Sequence, residues 1–82
     1  MKSVHRWQVL TRAECSLCDT LLLELATLLG HEFAQVQVCD ISEDIELERR
    51  YGTRIPVLLI DDEFLCAYKL DHERVKTYLE QE

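Results

Sequence analysis

The sequence has few of the residues that interrupt structure. Its 82 residues include one Pro and two Gly, so no stretch has the composition of a flexible linker. One domain over residues 1–82 is expected, with a small core and modest stability. No apolar run comes near the roughly 20 residues that a membrane helix needs. The N-terminus, MKSVHR, lacks an apolar segment after its basic residues, which gives a cytoplasmic expectation. Basic residues are also scarce: nine Lys and Arg stand against sixteen Asp and Glu, a net charge of −7. Nucleic acid and anionic membrane surfaces both require clustered cations, so neither is expected as a partner. The acidic balance reads as solubility. Four cysteines could frame a secreted disulfide scaffold, but such scaffolds are loop-rich. This chain has strongly periodic segments and no secretion signal.

Those segments alternate in type. Residues 4–10, with Trp7, Val9 and Leu10, read as a first strand, and residues 11–14 as a polar loop. From 15 to 29, Leu17, Leu21, Leu22, Leu25, Leu28 and Leu29 recur at helical spacing, with Gly30 as the stop. Residues 33–39 alternate Val with Gln and predict a half-buried strand. Asp40 with Glu43 resembles a capping box for a polar helix whose apolar contacts are Ile45 and Leu47, ending near Tyr51-Gly52. Residues 55–60 (IPVLLI) form a continuous apolar run, as in a strand buried on both faces. Asp61-Asp62-Glu63 predicts a turn into a return strand over 64–67. Asp71 can cap a last helix with Val75, Tyr78 and Leu79 on its apolar face. The order β-α-β-α-β-β-α predicts an α/β fold: a four-stranded mixed sheet, its first half a parallel crossover unit and its second an antiparallel hairpin, with helices on its faces.

The chemistry is concentrated in Cys15-Ser16-Leu17-Cys18, where the first loop meets the first helix. A helix N-terminus carries free N–H groups and about half a positive charge. A thiolate there is stabilised, and a thiol of ordinary pKa near about 8.5 falls to roughly 3.5–7.5 in such settings. The i, i+3 spacing lets the two sulfurs bridge. Cys15, nearest the free N–H groups, is expected to attack a disulfide, and Cys18, one turn in and partly buried, to resolve the intermediate. Arg12 adds a cation nearby, while Glu14 and Asp19 oppose it. His5, His31 and His72 are scattered without ligand spacing, so no metal is expected. Cys39 and Cys66 end strands at opposite sheet edges and read as small buried hydrophobes; Trp7 and Tyr51 read as packing aromatics.

The "CSLC" after the first strand, the "YGTRIPVLLI" that opens the third and the element order together resemble the thioredoxin-fold superfamily, and within it the small glutaredoxin-like branch. The resemblance covers nearly the whole chain. It implies a cis-proline at Pro56, facing the Cys pair. It also implies that Ile55 pairs its backbone with an extended substrate such as glutathione, and that Arg12 is the basic residue many glutaredoxins carry before the motif. The chain departs from the glutaredoxin CPYC, lacks the WCGPC of thioredoxin, and has Cys66-Ala67 or the Tyr68-Lys69 stretch where glutaredoxins carry a Gly-Gly pair. The topology also gathers Arg12, Arg54 and Lys69 around the Cys pair, a ring suited to an anionic thiol.

The expectation is a thiol–disulfide oxidoreductase with a redox-active Cys15–Cys18 disulfide, with Arg12, Ile55 and Pro56 as substrate-binding residues. No resident cofactor is expected, with glutathione as reductant or co-substrate. Its partner would be a disulfide-containing protein or a small thiol, and the chain itself a monomer. One alternative is a non-catalytic module that docks an extended partner at the Ile55-Pro56 edge; another is a thiolate metal carrier.

Overall fold

The computed structural model describes residues 5–80. Residues 1–4, which hold the predicted start of the first strand and most of the basic N-terminal stretch, lie outside them. The elements are β1 (Trp7–Thr11), α1 (Ser16–Leu29), β2 (Gln37–Asp40), α2 (Ile45–Tyr51), β3 (Val57–Ile60), β4 (Glu63–Ala67) and α3 (His72–Glu80), with 3-10 turns at Gly30–Gln35 and Ile41–Glu43. The four strands form one sheet in the order β2-β1-β3-β4. β1 runs parallel to β2 and antiparallel to β3, and β3 pairs antiparallel with β4. This is the mixed α/β arrangement that the element order predicts.

The core divides at the sheet. All four residues of β3 are buried, and they serve its two faces alternately because side chains of a strand point to opposite sides. Leu58 and Ile60 join Trp7 and Val9 on one face, where α1 contributes Leu21, Leu25 and Leu29 and α3 contributes Val75. Val57 and Leu59 join Leu10 and Ile41 on the other, with Leu47 and Tyr51 of α2 packed against them. Each such aliphatic side chain stabilises the fold by about 1.5–3 kcal/mol on burial. That is why β3 reads as a continuous apolar run.

Cys15 is the N-cap of α1, at the loop–helix boundary where the sequence places it. The structure corrects three expectations. Leu17 is 45% exposed, because the first turn of α1 opens onto a groove and not onto the sheet. Residues 33–35 belong to the 3-10 turn, β2 starts at Gln37, and Val38 is 53% exposed. β2 is an edge strand, and the helices of that face pack over the central strands. Asp40 caps the Ile41–Glu43 turn through Ser42 N–H, whereas Asp44 caps α2 by accepting from Leu47 N–H. Ile45 is consequently the first residue of α2 and is 77% exposed.

The hairpin is built from local chemistry. Ile60 pairs with Glu63, leaving Asp61 and Asp62 as a two-residue loop, both at positive φ (54° and 69°). That is the type I′ geometry that matches strand twist, and Asp tolerates it. The register slips between Leu58 and Leu59, so that Leu65 is the extra residue of a bulge in β4. Arg74 of α3 donates to the Leu65 carbonyl (2.9 Å), and the bulge lets Leu65 and Cys66 enter the same cluster. Within the hairpin loop, Asp61 accepts from Arg6 N–H and pairs with the His5 ring, both at 2.8 Å.

Two predictions follow from packing and charge. Leu25→Ala should cost about 2–5 kcal/mol in urea unfolding, whereas Leu17→Ala, despite its place in the same heptad-like series, should stay within about 0.5 kcal/mol. The His5 contact and the Arg6 N–H hold the Asp61 carboxyl below its ordinary value of 3.8. A depressed carboxylate stabilises the fold above its unfolded pKa and ceases to do so as pH falls through its folded pKa. The deficit of Asp61→Asn in urea midpoint should be largest near neutrality and shrink on acidification below about pH 4.

Candidate functional site

Antiparallel pairing places Leu10, near the end of β1, opposite Val57, the start of β3. The loop that follows β1, the segment that precedes β3 and the turn that follows β4 therefore share one end of the sheet. Two of the expected site residues, Cys15 and Cys18, lie where the first of these enters α1, and Ile55 and Pro56 lie in the second. Arg12 begins the loop and Glu14 turns it, with φ 57°. The chain enters α1 at Cys15 in extended conformation (φ −115°, ψ 104°), and the Cys15 sulfur accepts the Cys18 N–H at 3.1 Å. A sulfur atom thus takes the capping position that a Ser or Asp oxygen fills at other helices. Cys15 and Cys18 are joined as a disulfide with Cα atoms 5.2 Å apart. Cys15 is partly exposed, and Cys18 faces the core at 2% exposure, deeper than the partial burial expected for it.

The Ile55–Pro56 peptide bond is cis; Pro56 is buried and Ile55 partly so. The segment is gripped from the turn that follows β4. Tyr68 donates its N–H to the Pro56 carbonyl (2.8 Å) and its hydroxyl to the Thr53 carbonyl (3.0 Å). Tyr68 does so at φ 70°, a left-handed conformation that costs a non-glycine residue about 1–2 kcal/mol. Arg54 N–H closes a turn onto the Tyr51 carbonyl at 2.8 Å.

The three cations of the expected ring are spent differently. Arg12 forks onto both carboxylate oxygens of Glu48 (2.7 and 3.0 Å) and also donates to the Gly52 carbonyl (2.9 Å). Its hydrogen bonds hold the Glu48 carboxyl below the ordinary carboxylate value, and Glu48 raises the guanidinium in return. Ser42 N–H and hydroxyl lower Asp40, with Arg12 adding attraction. Arg54 lies over the Phe64 ring, 6.0 Å from its centroid. Lys69 lines a groove of about 340 Å³ between α1 and the β4–α3 turn, with Leu17, Tyr68 and Leu70. His72 and Glu24, 3.0 Å apart, tie α3 to α1 along its side.

Cys39 and Cys66 stand on the two edge strands, β2 and β4. Cys39 is partly exposed and Cys66 buried. Among the described residues, no group of three His, Cys, Asp or Glu side chains is arranged to hold a metal ion, and no helix is long and apolar enough to cross a membrane. Sequence reading missed Glu48, Gly52 and the two bonds of Tyr68. Glu48 looks like one more carboxylate of a solvated helix, and Gly52 like a helix terminus. Their link to Arg12 spans 36 and 40 positions, and no local pattern encodes it.

The family model of the glutaredoxin-like domain (DUF836) matches residues 6–80. No curated protein matches the chain. A Nitrosomonas europaea protein solved by solution NMR is similar at 30% identity and TM-score 0.80, over 90% of this chain and 89% of that one. A protein from X. campestris, solved by X-ray crystallography, is similar at 27% identity and TM-score 0.72, over 93% of this chain and 97% of that one. The thioredoxin of Fasciola hepatica shares the fold at 16% identity and TM-score 0.56, over 99% and 84%. The fold is thioredoxin-like.

Burial raises the Cys66 thiol above its ordinary value, so it stays protonated to higher pH and is shielded as well. In the native, oxidised protein at about pH 8, iodoacetamide should label Cys39 first and Cys66 only on unfolding, as read by peptide mass spectrometry.

Proposed function

The chain belongs to the glutaredoxin-like domain family, and from that premise we propose that it is a dithiol thiol–disulfide oxidoreductase. The reading is carried by one observation: the partly exposed Cys15 sulfur accepts a backbone N–H at the start of a 14-residue helix while bonded to the buried Cys18. In the reduced protein the same N–H and the helix dipole favour the Cys15 thiolate. That thiolate attacks one sulfur of a substrate disulfide; a Cys15–substrate disulfide forms and the other substrate sulfur leaves as a thiol after taking a proton. The Cys18 thiolate then attacks the Cys15 sulfur, closing the Cys15–Cys18 bond and releasing the second thiol. The substrate gains two electrons and two protons, and the Cys pair loses them. Two thiols of glutathione, or a thioredoxin-type dithiol, return the pair to the reduced state. No resident cofactor or metal takes part.

The partner in this reading is a disulfide-bearing protein or a small thiol in a reducing compartment, met by a monomeric chain. Ile55 and Pro56 form the edge against which an extended substrate lies. Support for that edge is the set of bonds that Tyr68 and Arg12 make to the carbonyls around it.

The test is intact mass after equilibration in graded glutathione redox buffers, with free thiols trapped by alkylation. A loss of two hydrogens at Cys15 and Cys18, with a midpoint between roughly −220 and −320 mV, is expected. Cys15→Ser should abolish turnover, and Cys18→Ser should accumulate a mixed disulfide on Cys15. A pair that stays reduced across the whole series would remove the enzyme reading in favour of a binding module.

A further inference from the structure

We infer that Arg12 is a positioning residue, which, with Glu48 and Gly52, straps the loop carrying Cys15 to the segment carrying Pro56, and is not the cation that receives a substrate. The inference rests on the oxidoreductase reading of the Cys pair and concerns what keeps its two halves in register.

Three of the N–H donors of Arg12 are already committed. A guanidinium has five N–H donors in a planar fork. One edge of that fork meets both oxygens of Glu48, and Nη2 also meets the Gly52 carbonyl. The bidentate geometry is the strong and directional form of this pair. Glu48 cancels the charge, and Asp40 lies close enough to add to the same field. An incoming carboxylate would have to displace Glu48 to take the Nη1–Nη2 edge of Arg12, and at any other edge it would meet a charge that Glu48 already neutralises.

Gly52 makes room both for this pair and for the Glu48 carbonyl beneath it. Its backbone (φ −55°, ψ −29°) is ordinary helical geometry open to any residue. Space is what requires glycine: a Cβ there would fall on the Glu48 carboxylate oxygen Oε1 and within 2.5 Å of the Glu48 carbonyl. A side chain at position 52 would therefore evict the carboxylate from the place where it holds Arg12.

The strap joins the segments the reaction must align. Arg12 stands three residues before Cys15, and Gly52 four before Pro56. The bonds of Tyr68 hold the Pro56 segment from its other side. Arg12 and Glu48 are each more than a third exposed (37% and 39%), where an ion pair adds little to global stability. Their loss should be felt in the geometry of the site before it is felt in unfolding.

The test compares Glu48→Gln, Arg12→Met, Arg12→Lys and Gly52→Ala on two disulfides, anionic oxidised glutathione and neutral hydroxyethyl disulfide. A second readout is the rate of Cys15 alkylation against pH in the reduced proteins, and urea midpoints report on folding. Each variant should lower kcat/KM by about tenfold, in equal ratio for both disulfides, with a shifted alkylation profile. Arg12→Lys should not rescue, because an ammonium cannot hold Glu48 in a bidentate fork. The double variant Arg12→Met/Glu48→Gln should be no worse than the poorer single one, as expected of partners in one interaction. Selective loss toward oxidised glutathione in Arg12→Met, with wild-type or faster rates in Glu48→Gln, would overturn the inference and make Arg12 a substrate cation. Wild-type rates and profiles throughout would overturn it as well. If the wild-type protein turns over neither disulfide, the oxidoreductase reading fails by itself. The alkylation profiles of the near-isosteric Glu48→Gln and of Gly52→Ala then decide the strap: displaced profiles sustain it and unmoved ones reject it.

Discussion

The antiparallel pairing of β1 with β3 is the constraint on which the site depends. It sets Leu10 opposite Val57, so the chain leaves β1 where it enters β3. The loop to Cys15 and the segment to Pro56 therefore emerge side by side although they are some 40 residues apart in sequence. The pairing persists because both strands are buried on both faces. A slip of one residue would turn every side chain of β3 to the wrong cluster, sending Leu58 and Ile60 away from α1 and α3. The hydrophobic division of the core thus holds the register, and the register holds the two halves of the site together.

The site itself is kept in shape by polar contacts at its rim. The Cys18 N–H meets the Cys15 sulfur, Tyr68 meets two carbonyls of the Pro56 segment, and Arg12 meets a third at Gly52. Three different elements contribute, and each contact satisfies a backbone group that the sheet or a helix leaves open. The electrostatics follow from the same economy of partners. Of the three cations near the Cys pair, Arg12 is neutralised by Glu48 and Arg54 lies against Phe64. Lys69 stands at the groove beside Leu17 and Tyr68. The positive field that topology alone implies is correspondingly weaker than a count of basic residues indicates.

Much of the fold was legible in the sequence. The run at 57–60 could only be a strand buried on both sides, and the leucine series from 21 to 29 could only be a helix packed along one face. Legibility failed where a residue's surroundings come from elsewhere in the fold. Leu17 keeps the leucine spacing but meets a groove, Val38 keeps the alternation but lies on an edge, and Ile45 starts a helix too short to bury it. Asp40 and Asp44 carry the same capping chemistry. Which of them starts α2 depends on Ile41, whose burial draws the chain into a 3-10 turn first.

The same boundary runs through the site. Sequence by itself determined the element order, the mixed sheet and the Cys pair at a helix start, because hydrophobic period and helix-end chemistry act over a few neighbouring residues. Tertiary structure alone decided that Glu48 occupies Arg12, that Gly52 makes room for that pair, and that Tyr68 adopts positive φ to reach Pro56 and Thr53. These contacts join residues 12 to 40 positions apart. Only the assembled sheet brings such residues within hydrogen-bond reach, and a one-dimensional pattern carries no trace of a partner that distant.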